Sequence, residues 1–170
     1  MNMAEMASQL WPQGDGLGQP QVHMLIDGAI DPGIAQQIRF GRLQFECLFG
    51  EPLSPRLRAA APYLVHLSEG SPQTCDILQR SRRQPSGIFI TAPPAVSTRQ
   101  LRLHFKKLLW VQDESKRPLY FRFYDPRVLA AYLPTCTDEE KQQFFGPAEH
   151  LHCLSDGRLL RFSRRQPADT

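Results

Sequence analysis

Apolar and polar residues recur along the chain with two different spacings. Alternating or continuous short apolar runs predict strands at residues 22–27, 43–49, 62–67, 87–91 and 119–124. Apolar residues spaced three or four apart predict helices at residues 32–39, 74–82, 98–109 and 126–133, and a shorter helix ending near residue 147. Two final strands, at 149–154 and 158–163, flank the dipeptide Asp156-Gly157, which is typical of a hairpin turn.

Several helix starts are marked by side chains that can accept hydrogen bonds from the first backbone amides. Ser97 with Gln100, and Thr137 with Glu140, have the spacing of capping boxes. These markers separate the helices from the strands that precede them. The chain is therefore divided into many short elements of both kinds.

This order of elements predicts the fold class α/β (mixed α+β). We expect a single compact domain over residues 21–163, with a mixed central sheet flanked by short helices and a C-terminal β-hairpin. Residues 1–20 are predicted to be a loose lead-in, because Gly14, Gly16, Gly18 and Pro20 interrupt regular structure. Residues 164–170 are predicted to form a frayed tail.

The most informative segment runs from residue 119 to residue 129, Leu-Tyr-Phe-Arg-Phe-Tyr-Asp-Pro-Arg-Val-Leu. Asp125 can cap a new helix, and Pro126 suits its first position because proline lacks the amide that would be unpaired there. Arg122 and Arg127 then lie on either side of a sharp turn. No catalytic scheme requires this arrangement, whereas a rigid, partly polar binding surface would use it.

Composition limits the classes of protein that fit. The 170 residues, 41% of them hydrophobic, suffice for one domain, and the formal net charge of +3 is ordinary for a solvated surface. No apolar stretch approaches the length of a membrane span, and the N-terminus lacks the features of a secretory signal. Four widely separated cysteines predict free thiols in a reducing cytoplasm.

Catalytic and metal-binding patterns are weak. His150 and His152 share one side of a predicted strand, but Cys153 points the other way and no further ligand has suitable spacing, so we expect no metal. Asp27 and Asp31 flank a predicted strand–helix junction, a common catalytic place, but Asp31 is better explained as a helix cap and Asp27 is a minor catalytic candidate. No nucleophile motif or phosphate loop is present, so the sequence favours a binding protein without a cofactor over an enzyme. An enzyme would need acid and base groups that converge around Asp27, Asp125 and a histidine.

Basic residues leave a second function open. They would bind nucleic acid if they converged on one face. They comprise Arg80, Arg82, Arg83, the helix face over residues 99–107, Arg158, Arg161, Arg164 and Arg165. The 17 interspersed acidic residues count against this alternative. Most large aromatics are expected in the core, and any exposed ones beside arginine would suit a protein-binding hot spot.

Several segments, taken in order, resemble one family. They are Leu25-Ile26-Asp27-Gly28-Ala29, Leu48-Phe49-Gly50, Ala61-Pro62-Tyr63-Leu64-Val65, Gly87-Ile88-Phe89-Ile90, the helix over residues 101–111, the string from Phe121 to Leu129, and Phe144-Phe145-Gly146-Pro147. Over residues 22–160 the chain resembles the type VI secretion adaptor/chaperone family known as domain of unknown function 4123. The string Arg-Phe-Tyr-Asp-Pro-Arg is the most specific part of the resemblance.

The resemblance implies a cytoplasmic, non-catalytic adaptor. Such a protein binds a toxic effector and helps load it onto the VgrG spike, sometimes with its PAAR tip protein; neither nucleic acid nor a membrane is an expected partner. Asp125 and Pro126 are expected to be structural parts of the motif. The residues expected to contact the partner are Arg122, Tyr124, Arg127, Tyr132, Phe144 and Phe145.

Overall fold

The computed structural model describes residues 1–12, 18–41 and 43–164. Its helices are α1 (Met3–Leu10), α2 (Pro32–Phe40), α3 (Pro55–Ala60), α4 (Pro72–Arg83), α5 (Thr98–Leu108), α6 (Pro126–Tyr132) and α7 (Asp138–Phe145), with a 3-10 turn at Leu133–Thr135. Its strands are β1 (Gln21–Asp27), β2 (Phe45–Cys47), β3 (Pro62–Leu67), β4 (Gly87–Ala92), β5 (Trp110–Gln112), β6 (Pro118–Tyr120), β7 (His150–Ser155) and β8 (Arg158–Ser163). The predicted α/β domain with its C-terminal hairpin is confirmed.

Six strands form one sheet in the order β2-β3-β1-β4-β7-β8, while β5 and β6 pair separately as a short ribbon. Every neighbouring pair in the described sheet is antiparallel, so the prediction of a mixed sheet was wrong. The reason is an interleaved chain path. Strands β1 and β2 run in the same direction, as do β3 and β4, but an opposed strand separates each pair. Helix–strand alternation therefore produces no parallel neighbours here.

Both faces of the sheet are covered, which explains why β1, β3 and β4 are buried along nearly their whole length. One face packs against α5, α6 and α7, the C-terminal helical layer, and its core contains Leu25, Ile88, Phe105, Leu129 and Phe145. The other face packs against α1, α2 and α4, the N-terminal helical layer. Its core contains Met6, Met24, Ile38, Ile77 and Phe89. Successive residues of each strand point to opposite faces, so one strand serves both cores.

The predicted capping boxes are confirmed. Ser97 accepts a hydrogen bond from the Gln100 amide at the start of α5, and Thr137 accepts one from Glu140 at the start of α7. In each case the residue at the third helical position bonds back to the cap, so two otherwise unpaired amides are satisfied.

The N-terminus differs from the prediction of a loose lead-in. Asn2 and Glu5 form a capping box, and α1 buries Met6, Leu10 and the following Trp11 against the sheet. The helix is ordered because these apolar residues complete the N-terminal helical layer. Two of the glycines invoked there, Gly14 and Gly16, lie outside the described residues, as do residues 165–170 of the predicted tail.

Candidate functional site

The β6–α6 junction, residues 118–127, is where the most specific sequence motif lies. The strand predicted over residues 119–124 is shorter in the structure, where β6 ends at Tyr120. The next amide, that of Phe121, donates to the Leu109 carbonyl at 2.8 Å. A turn follows, in which the Asp125 amide donates to the Arg122 carbonyl at 3.0 Å. The chain is thereby directed into α6 within five residues.

Asp125 organises the start of α6 as predicted. Its carboxylate accepts a hydrogen bond from the Arg127 amide at 3.0 Å, and Pro126 occupies the first helical position. The guanidinium of Arg127 donates to both oxygens of the same carboxylate, at 3.0 and 2.7 Å. These bonds hold the pKa of Asp125 below its usual value. The Arg127 side chain is 85% exposed, and its two hydrogen bonds to Asp125 hold the guanidinium at the surface.

Arg122, the other arginine of the motif, is engaged with the core. It donates to the carboxylate of Asp27, whose side chain is only 1% exposed at the end of β1. Asp27 also accepts a hydrogen bond from the Ala29 amide at 2.9 Å. The hydrogen bond from Arg122 to Asp27 raises the pKa of Arg122. A buried carboxylate requires such compensation, so this ion pair joins the motif to the central strand of the sheet.

Two tyrosines lie beside this ion pair. The hydroxyls of Tyr120 and Tyr124 are 2.7 Å apart, and Tyr124 is buried. Burial raises the pKa of both phenols, and for Tyr124 the hydrogen bond with Tyr120 adds to the rise. Both hydroxyls therefore keep their protons near neutral pH, and the pair is a neutral hydrogen bond linking β6 to the turn.

Aromatic rings pack tightly beneath the junction. Phe123 is stacked on Phe105 with a centroid distance of 5.7 Å and meets Phe144 edge-on at 5.6 Å. Tyr132 contacts Phe121 at 5.0 Å and Phe144 at 5.4 Å. These rings come from four separate elements, so they fix the position of α6 and α7 against α5.

This packing divides the residues predicted to contact a partner into a buried group and an accessible group. Tyr124, Phe144 and Phe145 are buried, so the expectation that they form a contact surface does not fit the structure. Aromatic rings at element boundaries belong to the core here because three helices converge on them. Arg122, Arg127 and Tyr132 remain accessible and lie on one segment of chain. The accessible part of the motif is therefore mainly cationic.

The two histidines that share one side of the predicted strand contact other side chains of the protein or are buried. The rings of His150 and His152 lie on the same side of β7, 6.1 Å apart, as predicted. His150 is bonded to Ser163 at 3.1 Å and to Arg161 at 2.8 Å, while His152 is fully buried. Within the described ranges no group of three or more His, Cys, Asp or Glu side chains is placed to hold a metal ion.

The basic residues do not converge. The arginines of α4 belong to the N-terminal helical layer, those of α5 to the opposite layer, and those of β8 to the sheet edge. Arg165 lies outside the described residues. The single basic face that the nucleic-acid alternative requires is thus not formed by the basic residues that the structure describes.

Two features of this region are not indicated by the sequence. Nothing local in the sequence connects Asp27 with Arg122, 95 positions away. Trp110 is 61% exposed, although most large aromatic residues are expected in the core. Its position directly after the apolar stripe of α5 gave no sign that the chain leaves the core at that point.

In the part of the chain that the structure describes, no helix combines the length and apolarity needed to cross a bilayer.

The comparisons with known proteins place this chain in a family. No curated protein and no solved structure matches the chain. The family model described as Domain of unknown function (DUF4123) matches residues 22–143, which include the Asp27–Arg122 pair and the whole β6–α6 junction. Because this match covers well over half of the sequence, the chain belongs to that family.

Proposed function

We propose that the protein is a cytoplasmic, non-catalytic adaptor that binds a type VI secretion effector and helps load it onto the VgrG spike, alone or together with its PAAR tip protein. The observation that carries the proposal is the intact Arg-Phe-Tyr-Asp-Pro-Arg string within the family match. This string resembles the motif of the type VI adaptors. Its residues here form a junction held by ion pairs and hydrogen bonds, which suits a binding role.

The geometry of the junction supports a binding role. Asp125 fixes the Arg127 guanidinium at the surface, so the side chain loses little conformational freedom when it meets a carboxylate on a partner. Arg122 and Tyr132 extend the accessible area on either side. We propose that this area contacts the effector, with Arg127 as the principal charged contact.

The mechanism is stoichiometric. The adaptor holds the effector until the spike is reached and must then release it, which favours an interface near or below the standard size of about 1,600 Å². Charge complementarity speeds the encounter and selects the partner, while a small interface keeps dissociation fast. No covalent step is required.

The test is recovery of the tagged protein from its native bacterium, followed by mass spectrometry. We expect a stoichiometric type VI effector, with or without VgrG. Arg127→Glu should reduce its recovery about tenfold, because a repulsive charge replaces an attractive one. Arg82→Glu is the matched control, since Arg82 is an exposed arginine on α4 in the opposite helical layer.

Two results would overturn the proposal. One is recovery of nucleic acid alone, which would favour the alternative of a nucleic-acid-binding module. The other is a folded wild-type protein that recovers no effector and no spike protein. Arg122→Glu is unsuitable for this test because it would place a second carboxylate against buried Asp27.

A further inference from the structure

The β5–β6 ribbon exposes an unusual amount of apolar surface. Trp110, Val111 and Leu119 are 61%, 39% and 49% exposed. Trp110 lies opposite Tyr120 and Val111 opposite Leu119, so the ribbon is apolar on both faces. Single exposed apolar residues are common, but a contiguous group that includes tryptophan is typical of an interaction site.

Helix α5 continues this surface. Leu103 is 47% exposed and lies on the side of the helix opposite buried Leu101 and Phe105. Arg99 and Lys107 are one turn before and after it, and Trp110 follows where α5 gives way to β5. The exposed stripe therefore alternates basic and apolar side chains and leads directly onto the ribbon.

The cations along this stripe are available. Among the described side chains, no carboxylate forms an ion pair with Arg99, Lys106 or Lys107. In contrast, Arg102 on the same helix is paired with Glu46 at 3.4 Å. Three unpaired cations beside an exposed tryptophan and leucine are complementary to a segment that carries both apolar residues and carboxylates.

The ribbon is held rigidly at its base. Tyr120 meets Trp110 edge-on at 5.3 Å, and its hydroxyl is bonded to Tyr124. The Phe121 amide donates to the Leu109 carbonyl, which closes the ribbon against the end of α5. A partner would consequently meet a preformed surface, and little ordering free energy would be lost on binding.

We infer that Leu103, Lys106, Lys107 and Trp110, together with Arg99, form a docking surface for an acidic amphipathic segment of the client protein. Its apolar side chains pack on Leu103 and Trp110, and its carboxylates face the cations. The inference rests on the proposed adaptor function for the identity of the client. It goes beyond that function by assigning the principal apolar contact to a surface outside the arginine motif.

Protein fits this surface better than nucleic acid. Trp110 is an exposed ring on which a base could stack, but the neighbouring Leu103, Val111 and Leu119 are aliphatic and offer no second ring. The apolar and cationic groups are therefore best matched by a polypeptide.

The surface can be tested by site-specific photo-crosslinking in the native bacterium. Benzoylphenylalanine would replace Trp110 in the full chain, and the control would carry it at Phe40, an aromatic residue of α2 that is 77% exposed in the other helical layer. We expect cross-links from position 110, and not from position 40, to a peptide rich in carboxylates and apolar residues.

The outcomes separate the two proposals. Cross-links from position 110 to an acidic amphipathic segment of a protein unrelated to type VI secretion would support the surface and overturn the adaptor function. Recovery of a type VI effector without cross-links from position 110 would overturn the surface and leave the adaptor function standing. Cross-links to nucleic acid, to a basic segment, or to nothing at all would also overturn the surface.

Affinity measurements with a synthetic peptide of the cross-linked segment complete the test. In a Trp11→Phe background, Trp110 is the only tryptophan and its emission reports binding directly. Lys107→Glu should weaken binding about threefold to tenfold, and this loss should shrink at high salt. By a label-free method, Trp110→Ala should weaken binding at least about tenfold and Phe40→Ala less than about twofold. Equal effects of Trp110→Ala and Phe40→Ala would contradict the assignment.

Discussion

The two helical layers bury opposite faces of one sheet with different chemistry. The C-terminal helical layer is rich in aromatic rings and contains directed polar contacts, among them Asp27–Arg122 and Tyr120–Tyr124. The N-terminal helical layer contains mostly aliphatic residues and methionines, and its buried rings are Trp11, Tyr63 and Phe89. On that face His152 is buried with neither ring nitrogen hydrogen-bonded.

The side chains of one layer fix the position of a surface segment, whereas those of the other layer mainly bury apolar area. Edge-on ring contacts and hydrogen bonds are directional, so the C-terminal helical layer holds the β6–α6 junction in one geometry. Aliphatic and methionine side chains tolerate small shifts more readily, so the N-terminal helical layer stabilises the sheet without fixing a surface. The motif and the ribbon both belong to the directional side.

Removing a central ring from either layer should produce the largest effect. Phe123→Ala and Phe89→Ala should each lower the free energy of unfolding by about 3–5 kcal/mol, because both residues are fully buried. The leucine substitutions sharpen the comparison. Phe123→Leu should cost about 1 kcal/mol more than Phe89→Leu, since Phe123 loses several ring contacts. Urea unfolding measures both differences, and equal costs would show that ring geometry adds nothing.

The next largest difference in stability should be that between alanine variants of the two motif arginines. Arg122→Ala should cost about 2–3 kcal/mol, less than a fully buried pair because Arg122 is 43% exposed, yet substantial because Asp27 is left uncompensated. Arg127→Ala should cost clearly less, because the Arg127 side chain is exposed and Asp125 keeps its hydrogen bond from the backbone amide of residue 127. A double-mutant cycle with Asp27→Asn checks the origin of the larger loss. A coupling energy near zero would show that the pair is not responsible.

Acidification should act on the N-terminal helical layer through His152. Burial lowers the pKa of His152 to about 3, with His150 and Arg161 adding to the effect. An unfolded histidine titrates near 6.5, so below this pH the unfolded state takes up a proton that the folded state refuses. The contribution of neutral His152 to the free energy of unfolding is therefore fully present above about pH 6.5 and is lost as the pH decreases towards 3.

Substitution at this position isolates its share of the pH dependence. Burial also lowers the pKa of His23 to about 3 and that of His150 to about 4, so the wild type should lose stability through several groups. His152→Leu should remove about 1 kcal/mol of the loss that occurs between pH 7 and pH 5.5. Urea unfolding at the two pH values provides the measurement. Identical pH slopes in the variant and the wild type would contradict this assignment.

The smallest change in stability should come from the exposed ribbon. Trp110→Ser should alter the free energy of unfolding by less than about 1 kcal/mol, because the side chain is mostly in solvent and packs mainly on Tyr120. Thermal unfolding checks this value. A loss of several kcal/mol would mean that Trp110 is a structural residue and would remove the basis for treating it as a contact.

Features determined by neighbouring residues were predictable from the sequence. The caps of α5 and α7, the Asp125-Pro126 start of α6, and the Asp156-Gly157 turn all occur where predicted. Both turn residues have positive φ, at 48° and 72°, as the tight hairpin requires. The box formed by Asn2 and Glu5 carried the same kind of signal for α1, but the glycines that follow it masked that signal.

Features determined by distant residues were not predictable in the same way. The antiparallel order depends on β3 entering between β1 and β2, and no local pattern specifies that insertion. Likewise, the sequence located Arg122 and Arg127 in one motif but gave no reason for one to be engaged in the core and the other exposed. The burial of Tyr124, Phe144 and Phe145 follows from the convergence of three helices, which is a tertiary property.

The strand order also has a consequence for synthesis of the chain. Strands β1 to β4 are complete once residue 92 has been made, but the outer edge of β4 is covered only by β7, which begins at residue 150. At typical translation rates, making residues 93–149 takes roughly 3 to 11 s. During this interval the nascent protein presents an apolar strand edge to other chains. The ribosome-bound chain is therefore most vulnerable to aggregation before its final hairpin emerges.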